Sequence, residues 1–180
     1  GDAGAFWAYI NAMRWAQYYA WLNRDEMMDR VLEVLGDVAG SFTVEETVHC
    51  HHNFTEQEHH YGRDLWITRK GAIKAAEGDL GLIPGSMGAA SYVVEGLGDR
   101  ASLNSAPHGA GRLLARNAAR KQFTIEDLRT KMKGIEWRDD AAFLDEDPDA
   151  YKPIDVVMKD ASSLVRILHT FRQFINVKGT

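Results

Sequence analysis

The chain has one cysteine, Cys50, so no internal disulfide can form; this fits a reducing compartment and leaves the thiol as core filler or a metal ligand. No apolar run approaches the roughly 20 residues that a membrane span needs, and no signal peptide opens the sequence, so a cytoplasmic setting without a membrane partner is expected. Basic charge is not in excess either. Lys and Arg number 21 against 26 Asp and Glu, a net charge of −5 with a pI near 5.8. That argues against binding nucleic acid by bulk electrostatics but leaves room for a local basic groove. Internal repeats, linkers and signs of disorder are missing, and so is an initiator methionine. The 180 residues, 45% of them hydrophobic, are enough for one domain with a sizeable core. They read as a single α+β unit of mixed strands and helices over residues 1–180, with the look of a C-terminal piece of a longer chain.

The chemistry is centred on residues 104–112, NSAPHGAGR. Neutral imidazole is a competent nucleophile near pH 7, because its unperturbed pKa is about 6.5. Pro107 fixes the backbone before His108, and Gly109 and Gly111 let the main chain approach a ligand and present N–H groups to an anion. Residues 110–121 read as helix, so a phosphate near His108 would meet a helix N-terminus, a geometry for phosphoryl or nucleotidyl transfer. The plainer alternative is a Gly-rich turn whose histidine caps that helix. A second Gly-rich loop at 83–88, IPGSMG, offers further N–H groups and a hydroxyl.

Along the chain, Phe6, Tyr9, Ile10, Met13, Ala16, Ala20, Met27, Val31 and Leu35 recur at helical spacing, giving an amphipathic helix over 6–35 that Gly36 stops. Asn23 falls on its apolar face, where it must find partners. Residues 44–52 read as a strand with Cys50 and His52 on one face and His49 and His51 on the other. Cys and His together suit zinc or manganese, or are a buried thiol among surface histidines. His59 and His60 lie beyond a turn containing Glu56 and Glu58. Residues 65–68 form a short strand, after which Arg69 and Lys70 point at an anion or at solvent, and 89–94 is another strand. Arg112, Arg116 and Arg120 make one stripe on the 110–121 helix, able to track a nucleic-acid backbone or simply solvated. Thr124 caps a helix to about Lys133, 135–137 is a short strand, and 145–149 is an acidic loop. Pro153 opens a helix to about Ala161, and a further helix runs over 163–171.

Taken in order, HHN at 51–53, RKGA at 69–72, IPGSMG at 83–88, PHGAGR at 107–112, AYK at 150–152 and VKG at 177–179 resemble the C-terminal part of the RtcB family of RNA ligases. YYAWLNR at 18–24 is similar to that family's helix ending in YA..NR. The resemblance implies an RtcB-like catalytic fold, incomplete on its N-terminal side. It also implies GTP as nucleotide and two manganese ions in the complete site. His108 would be the nucleophile that becomes guanylylated, and His52 a manganese ligand with Asn53 beside it on the nucleotide. Pro84, Gly85, Ser86, Met87, Ser91, His108, Gly109, Ala110, Gly111 and Lys178, with His52 and Asn53, match positions that hold GTP or GMP. Tyr151 and Arg112 are further candidates for base or RNA contacts. The implied reaction joins RNA ends carrying a 3′-phosphate or 2′,3′-cyclic phosphate to RNA with a 5′-hydroxyl, as in tRNA splicing and RNA repair. The family's remaining metal ligands, a cysteine and two histidines, belong to an N-terminal half of the catalytic domain that this sequence does not include, and Cys50 is no substitute for that cysteine. That half is therefore an expected partner. Thr180 extends one residue past the family's usual Lys-Gly end.

Two other classes of function fit the same residues. One is a non-catalytic remnant that binds guanylate or RNA ends; the other is a metal-dependent phosphodiesterase that forms only a transient phosphohistidine and turns over without GTP.

Overall fold

The computed structural model describes residues 3–178. The chain divides into two compact units, Gly1–Lys70 and Gly71–Thr180. Gly179 of the VKG motif and the terminal Thr180 lie outside the described residues.

The first unit opens with α1, Ala3–Ala39, 37 residues long. It runs on through Gly36 and closes at Gly40, whose N–H returns to the Gly36 carbonyl at 3.0 Å. Its buried residue is Ile10; Trp15, Tyr18, Tyr19, Met27 and Val34 on the same helix are exposed. Asn23 therefore needs no partner in a core. It is exposed, and its amide donates to the Met27 sulfur at 3.6 Å.

A hairpin follows, β1 (Asn53–His60) against β2 (Arg63–Lys70), antiparallel from Asn53 opposite Lys70 to His60 opposite Arg63. The connection is Tyr61-Gly62 with φ of 52° and 75°. Two consecutive positive φ values are what a type I′ hairpin turn requires, and they match the right-handed twist of the strands. The strand expected over 44–52 is not there, and the face assignments of Cys50 and its neighbours lapse with it. β-branched side chains favour an extended chain, but only a facing strand satisfies its backbone, and 53–60 has one. The turn expected around Glu56 and Glu58 is likewise strand. Helix and hairpin join where Gln17 Oε1 accepts the Thr55 N–H at 2.8 Å and where Phe6 and Trp7 meet the Trp66 ring edge-on at 5.9 and 6.0 Å.

Arg69 does not face solvent. It is 3% exposed, and both its terminal nitrogens reach Glu58, one of them at 3.1 Å. The hairpin register puts Phe54, Glu58 and His60 on the face that Arg69 shares. Its guanidinium lies 5.2 Å from the Phe54 ring centroid, and His60 Nε2 lies 2.7 Å from the same Glu58 carboxylate. Removing one partner of a buried ion pair leaves an uncompensated charge, so Arg69→Ala is expected to cost about 3–5 kcal/mol. Urea unfolding of parent and variant measures it; a loss below about 1 kcal/mol, the range of exposed pairs, would show that the pair does not anchor the hairpin.

The second unit comprises, in chain order, β3 (Ala72–Lys74), β4 (Leu80–Pro84), β5 (Ser91–Gly96), β6 (Ser105–Pro107), α2 (Arg116–Gln122), α3 (Ile125–Lys131), β7 (Glu136–Trp137), 3-10 turns at Ala141–Glu146 and Pro148–Ala150, α4 (Ile154–Asp160), β8 (Val165–Phe171) and β9 (Ile175–Asn176). β4, β5 and β8 form an antiparallel sheet with β5 central. β3 pairs antiparallel with β6, and β7 pairs parallel with β9. Ile83 and Val94 are wholly buried. A separate core of Met87, Leu128, Met132 and Phe143 lies under Ile125, Ile135, Trp137 and Leu144.

Local signals account for α3 and α4. The Thr124 hydroxyl accepts the Asp127 N–H at 3.2 Å and the Asp127 carboxylate accepts the Thr124 N–H at 2.9 Å, a complete capping box. α4 starts directly after Pro153. The helix expected over 163–171 is instead β8. A short apolar run fits either state by spacing alone, and here β5 supplies the pairing edge. The acidic loop expected over 145–149 falls across the two 3-10 turns, where Asp145 and Asp147 are buried at 5% and 0% exposure.

Candidate active site

In the second unit the β3–β6 ladder sets Ala72 opposite Pro107, which brings Gly71 beside His108. A Cβ on Gly71 would lie 3.4 Å from Cδ2 and Nε2 of the His108 ring. The two Gly-rich loops touch directly, since the Ala110 N–H donates to the Pro84 carbonyl at 3.1 Å. A Cβ on Gly109 would sit 3.1 Å from that oxygen, tighter than ordinary packing, so glycine is what allows the close approach. Gly71 thus lies against the His108 imidazole, and the 107–111 loop that carries it is joined to the 83–88 loop by backbone.

Helix α2 begins at Arg116, eight positions after His108 rather than two. The expected meeting of a phosphate with a helix N-terminus is therefore not the geometry here. The intervening chain is held extended by an Arg112–Tyr151 bridge and by the Lys152 N–H on the Gly111 carbonyl at 2.9 Å. Arg112 is accordingly off the helix that was to carry a three-arginine stripe. Arg116 and Arg120 are compensated by buried Asp145, at 3.7 and 2.9 Å.

The IPGSMG loop is pinned from several sides. The Gly85 N–H donates to the Ala90 carbonyl at 2.9 Å, and the Met87 side chain is sunk in the core at 3% exposure. What Met87 can offer a ligand is thus backbone. Gln173 donates its amide to the Ser86 carbonyl at 2.9 Å and to the Met87 carbonyl. Ser91 opens β5 between Pro84 and Phe171. No spacing or motif marks Gln173 in the sequence.

Beyond the His108 loop, four side chains form one network. Arg112 donates to the Tyr151 hydroxyl at 2.9 Å, with its guanidinium 4.8 Å from that ring's centroid, and to the carbonyls of Leu114 and Asp145. The Tyr151 hydroxyl donates to Glu146 Oε2 at 2.6 Å, and the Lys178 ammonium binds the same oxygen. Burial acts to raise the Glu146 carboxyl, but the bonds from Lys178 and Tyr151 outweigh it and hold it below the usual carboxylate range. Burial and the Glu146 carboxylate push the Tyr151 phenol up to about 12. Near Lys178 opens a cavity of about 320 Å³ lined by Met87, Trp137, Phe143 and Asn176. Asn176 Oδ1 is buried there without a hydrogen-bond partner among the described residues.

The first unit carries His52 and Asn53, the latter opening β1 opposite Lys70. The preceding histidines are engaged by α1. Arg24 donates to His49 Nε2 at 2.6 Å and reaches His51 Nδ1 at 3.1 Å, and Trp21 stacks on His49 at 5.4 Å. Burial, followed by the Arg24 charge, lowers the pKa of both imidazoles. Cys50 is a half-buried free thiol. Among the described residues no three His, Cys, Asp or Glu side chains are grouped to hold a metal ion, so they do not by themselves form a manganese site.

Comparison with known proteins gives this arrangement its relatives. The chain is 44% identical over 177 residues to the RNA-splicing ligase RtcB of Escherichia coli K12, covering 95% of this chain and 43% of the relative. It is 37% identical over 180 residues to the tRNA-splicing ligase RtcB of Thermococcus kodakarensis, covering 84% of this chain and 37% of the relative. The RNA-splicing ligase RtcB of Mycobacterium tuberculosis is 32% identical over 173 residues, 84% of this chain and 40% of the relative. The chain thus spans less than half the length of these curated relatives. Residues 2–179 match the family described as tRNA-splicing ligase RtcB, and the chain belongs to that family.

Proposed function

We propose that the protein provides the guanylyl-transfer part of a GTP- and manganese-dependent RNA ligase. A ring nitrogen of His108 attacks the α-phosphorus of GTP; a P–N bond forms, the bond to the β-phosphate oxygen breaks, and pyrophosphate leaves. GMP passes from His108 to an RNA 3′-phosphate, and the 5′-hydroxyl of a second RNA then attacks that activated phosphorus and expels GMP. A 2′,3′-cyclic phosphate end is first opened by water to the 3′-phosphate.

The observation that carries this reading is the direct seating of the His108 loop on the IPGSMG loop through Ala110 and Pro84. It sets one nucleophile beside two stretches of close-approaching backbone. Lys178 and Arg112 add positive charge for an anionic nucleotide. His52 is the candidate metal ligand of this chain, and the further ligands of a manganese site would come from the region of the relatives that the chain does not span.

The test is a sealing assay on a ligase-length polypeptide bearing this sequence, with GTP and manganese. RNA ending in 3′-phosphate should join to 5′-hydroxyl RNA, with one GTP consumed per junction, and RNA with 3′-hydroxyl and 5′-phosphate ends should not join. Opening of cyclic phosphates without GTP and without sealing would replace the ligase by a phosphodiesterase.

A further inference from the structure

Glu146 matches none of the motifs that mark the site, yet it is where the network behind His108 converges. We infer that Glu146 is the positioning residue that fixes Lys178 for the nucleotide; the inference rests on the guanylate reading of the site given above. Lys178 follows β9 by two residues, outside any strand or helix, where a long flexible side chain has many rotamers open to it. Its ammonium is instead held on Glu146 Oε2, with side-chain exposures of 32% and 16% for the two residues.

Glu146 can serve as an anchor because its backbone is fastened on both sides. Asp145 before it is buried and binds Arg116 and Arg120. Asp147 after it is fully buried, takes the Lys131 ammonium at 2.6 Å and accepts the Asp149 N–H at 2.9 Å. The same carboxylate is coupled to the nucleophile's loop. Tyr151 donates to it and accepts from Arg112, four residues beyond His108. A continuous run of bonds therefore leads from the HGAGR loop through Arg112, Tyr151 and Glu146 to Lys178. In charge, one carboxylate between two cations leaves the group net positive, so an anion is still favoured while the repulsion between Arg112 and Lys178 is relieved.

The experiment measures labelling of the protein from α-labelled GTP against GTP concentration, in a ligase-length polypeptide bearing this sequence. Glu146→Ala is expected to raise half-saturating GTP about tenfold, with the labelling rate at saturation changed less than about threefold. Lys178→Ala should do the same. The double variant should be no worse than Lys178→Ala alone, because residues acting through one contact are non-additive. Glu146→Gln keeps an acceptor oxygen and should fall between parent and Glu146→Ala. It also keeps the test open should the alanine variant fail to fold. Losses that add in the double variant would make Glu146 a general structural residue and overturn the inference. So would Glu146 variants that saturate like the parent while Lys178→Ala is weakened. If Lys178→Ala itself leaves saturation unchanged, the guanylate assignment of Lys178 fails and the positioning role falls with it. That pattern is distinct from the other two.

Discussion

Replacing His108 with alanine is expected to remove every trace of radiolabel that the ligase-length protein takes up from α-labelled GTP. In the parent, that label should survive alkali and be released by acid, since a phosphoramidate on imidazole nitrogen is acid-labile and alkali-stable. The effect is complete rather than graded because covalent catalysis needs the nucleophile itself. On one side the His108 ring abuts Gly71, which has no side chain, and the residue after it is Gly109, packed against the Pro84 carbonyl. The loop geometry should survive the substitution, since the Ala110 to Pro84 bond and the β3–β6 pairing are made by backbone. A melting temperature close to that of the parent would separate loss of the nucleophile from loss of the fold. Label retained by His108→Ala would move the nucleophile elsewhere and sink the central assignment.

Signals that act over a few residues were legible in the sequence. The Thr124 box starts α3 and Pro153 starts α4, and the strand read over 89–94 overlaps β5. The mixed α+β class and the family follow from ordered motifs, and the matched family region covers them. What failed depended on partners distant in sequence. Residues 44–52 have strand-forming side chains but no facing strand, whereas the polar run 53–60 acquires one through the Tyr61-Gly62 turn. Residues 165–171 read as helix until β5 is seen to offer an edge. Arg69 reads as surface until its register places it on Glu58. Within the site, the loops carrying Pro84, Gly85, His108 and Gly109 are recognisable because close backbone approach demands particular residues. Gln173 and Glu146 act by hydrogen bonds that any segment could have supplied. Their roles are therefore invisible before the fold is known.

A polypeptide of these 180 residues alone is expected to form no GMP adduct with GTP and manganese, and to gain one when a polypeptide spanning the remaining region of an RtcB relative is added. The chain is short of metal ligands. A divalent transition metal takes about four or more, and the described residues group no three candidates, with His52 as the single ligand that the resemblance implies. GTP also brings several negative charges to His108. Arg112 and Lys178, sharing Glu146, leave a net of about one positive charge, which favours binding the anion but falls short of the several charges that a held metal would offset as charge develops at phosphorus. Packing points the same way. Helix α1 leaves Trp15, Tyr18 and Tyr19 at 69%, 63% and 61% exposure, a contiguous aromatic surface of the kind that soluble monomers seldom present. The isolated chain should accordingly self-associate, and light scattering should fall on complementation as label appears. Strong labelling of the isolated chain would mean that His49, Cys50, His59 or His60 completes a metal site with His52, and the requirement for a second region would be wrong.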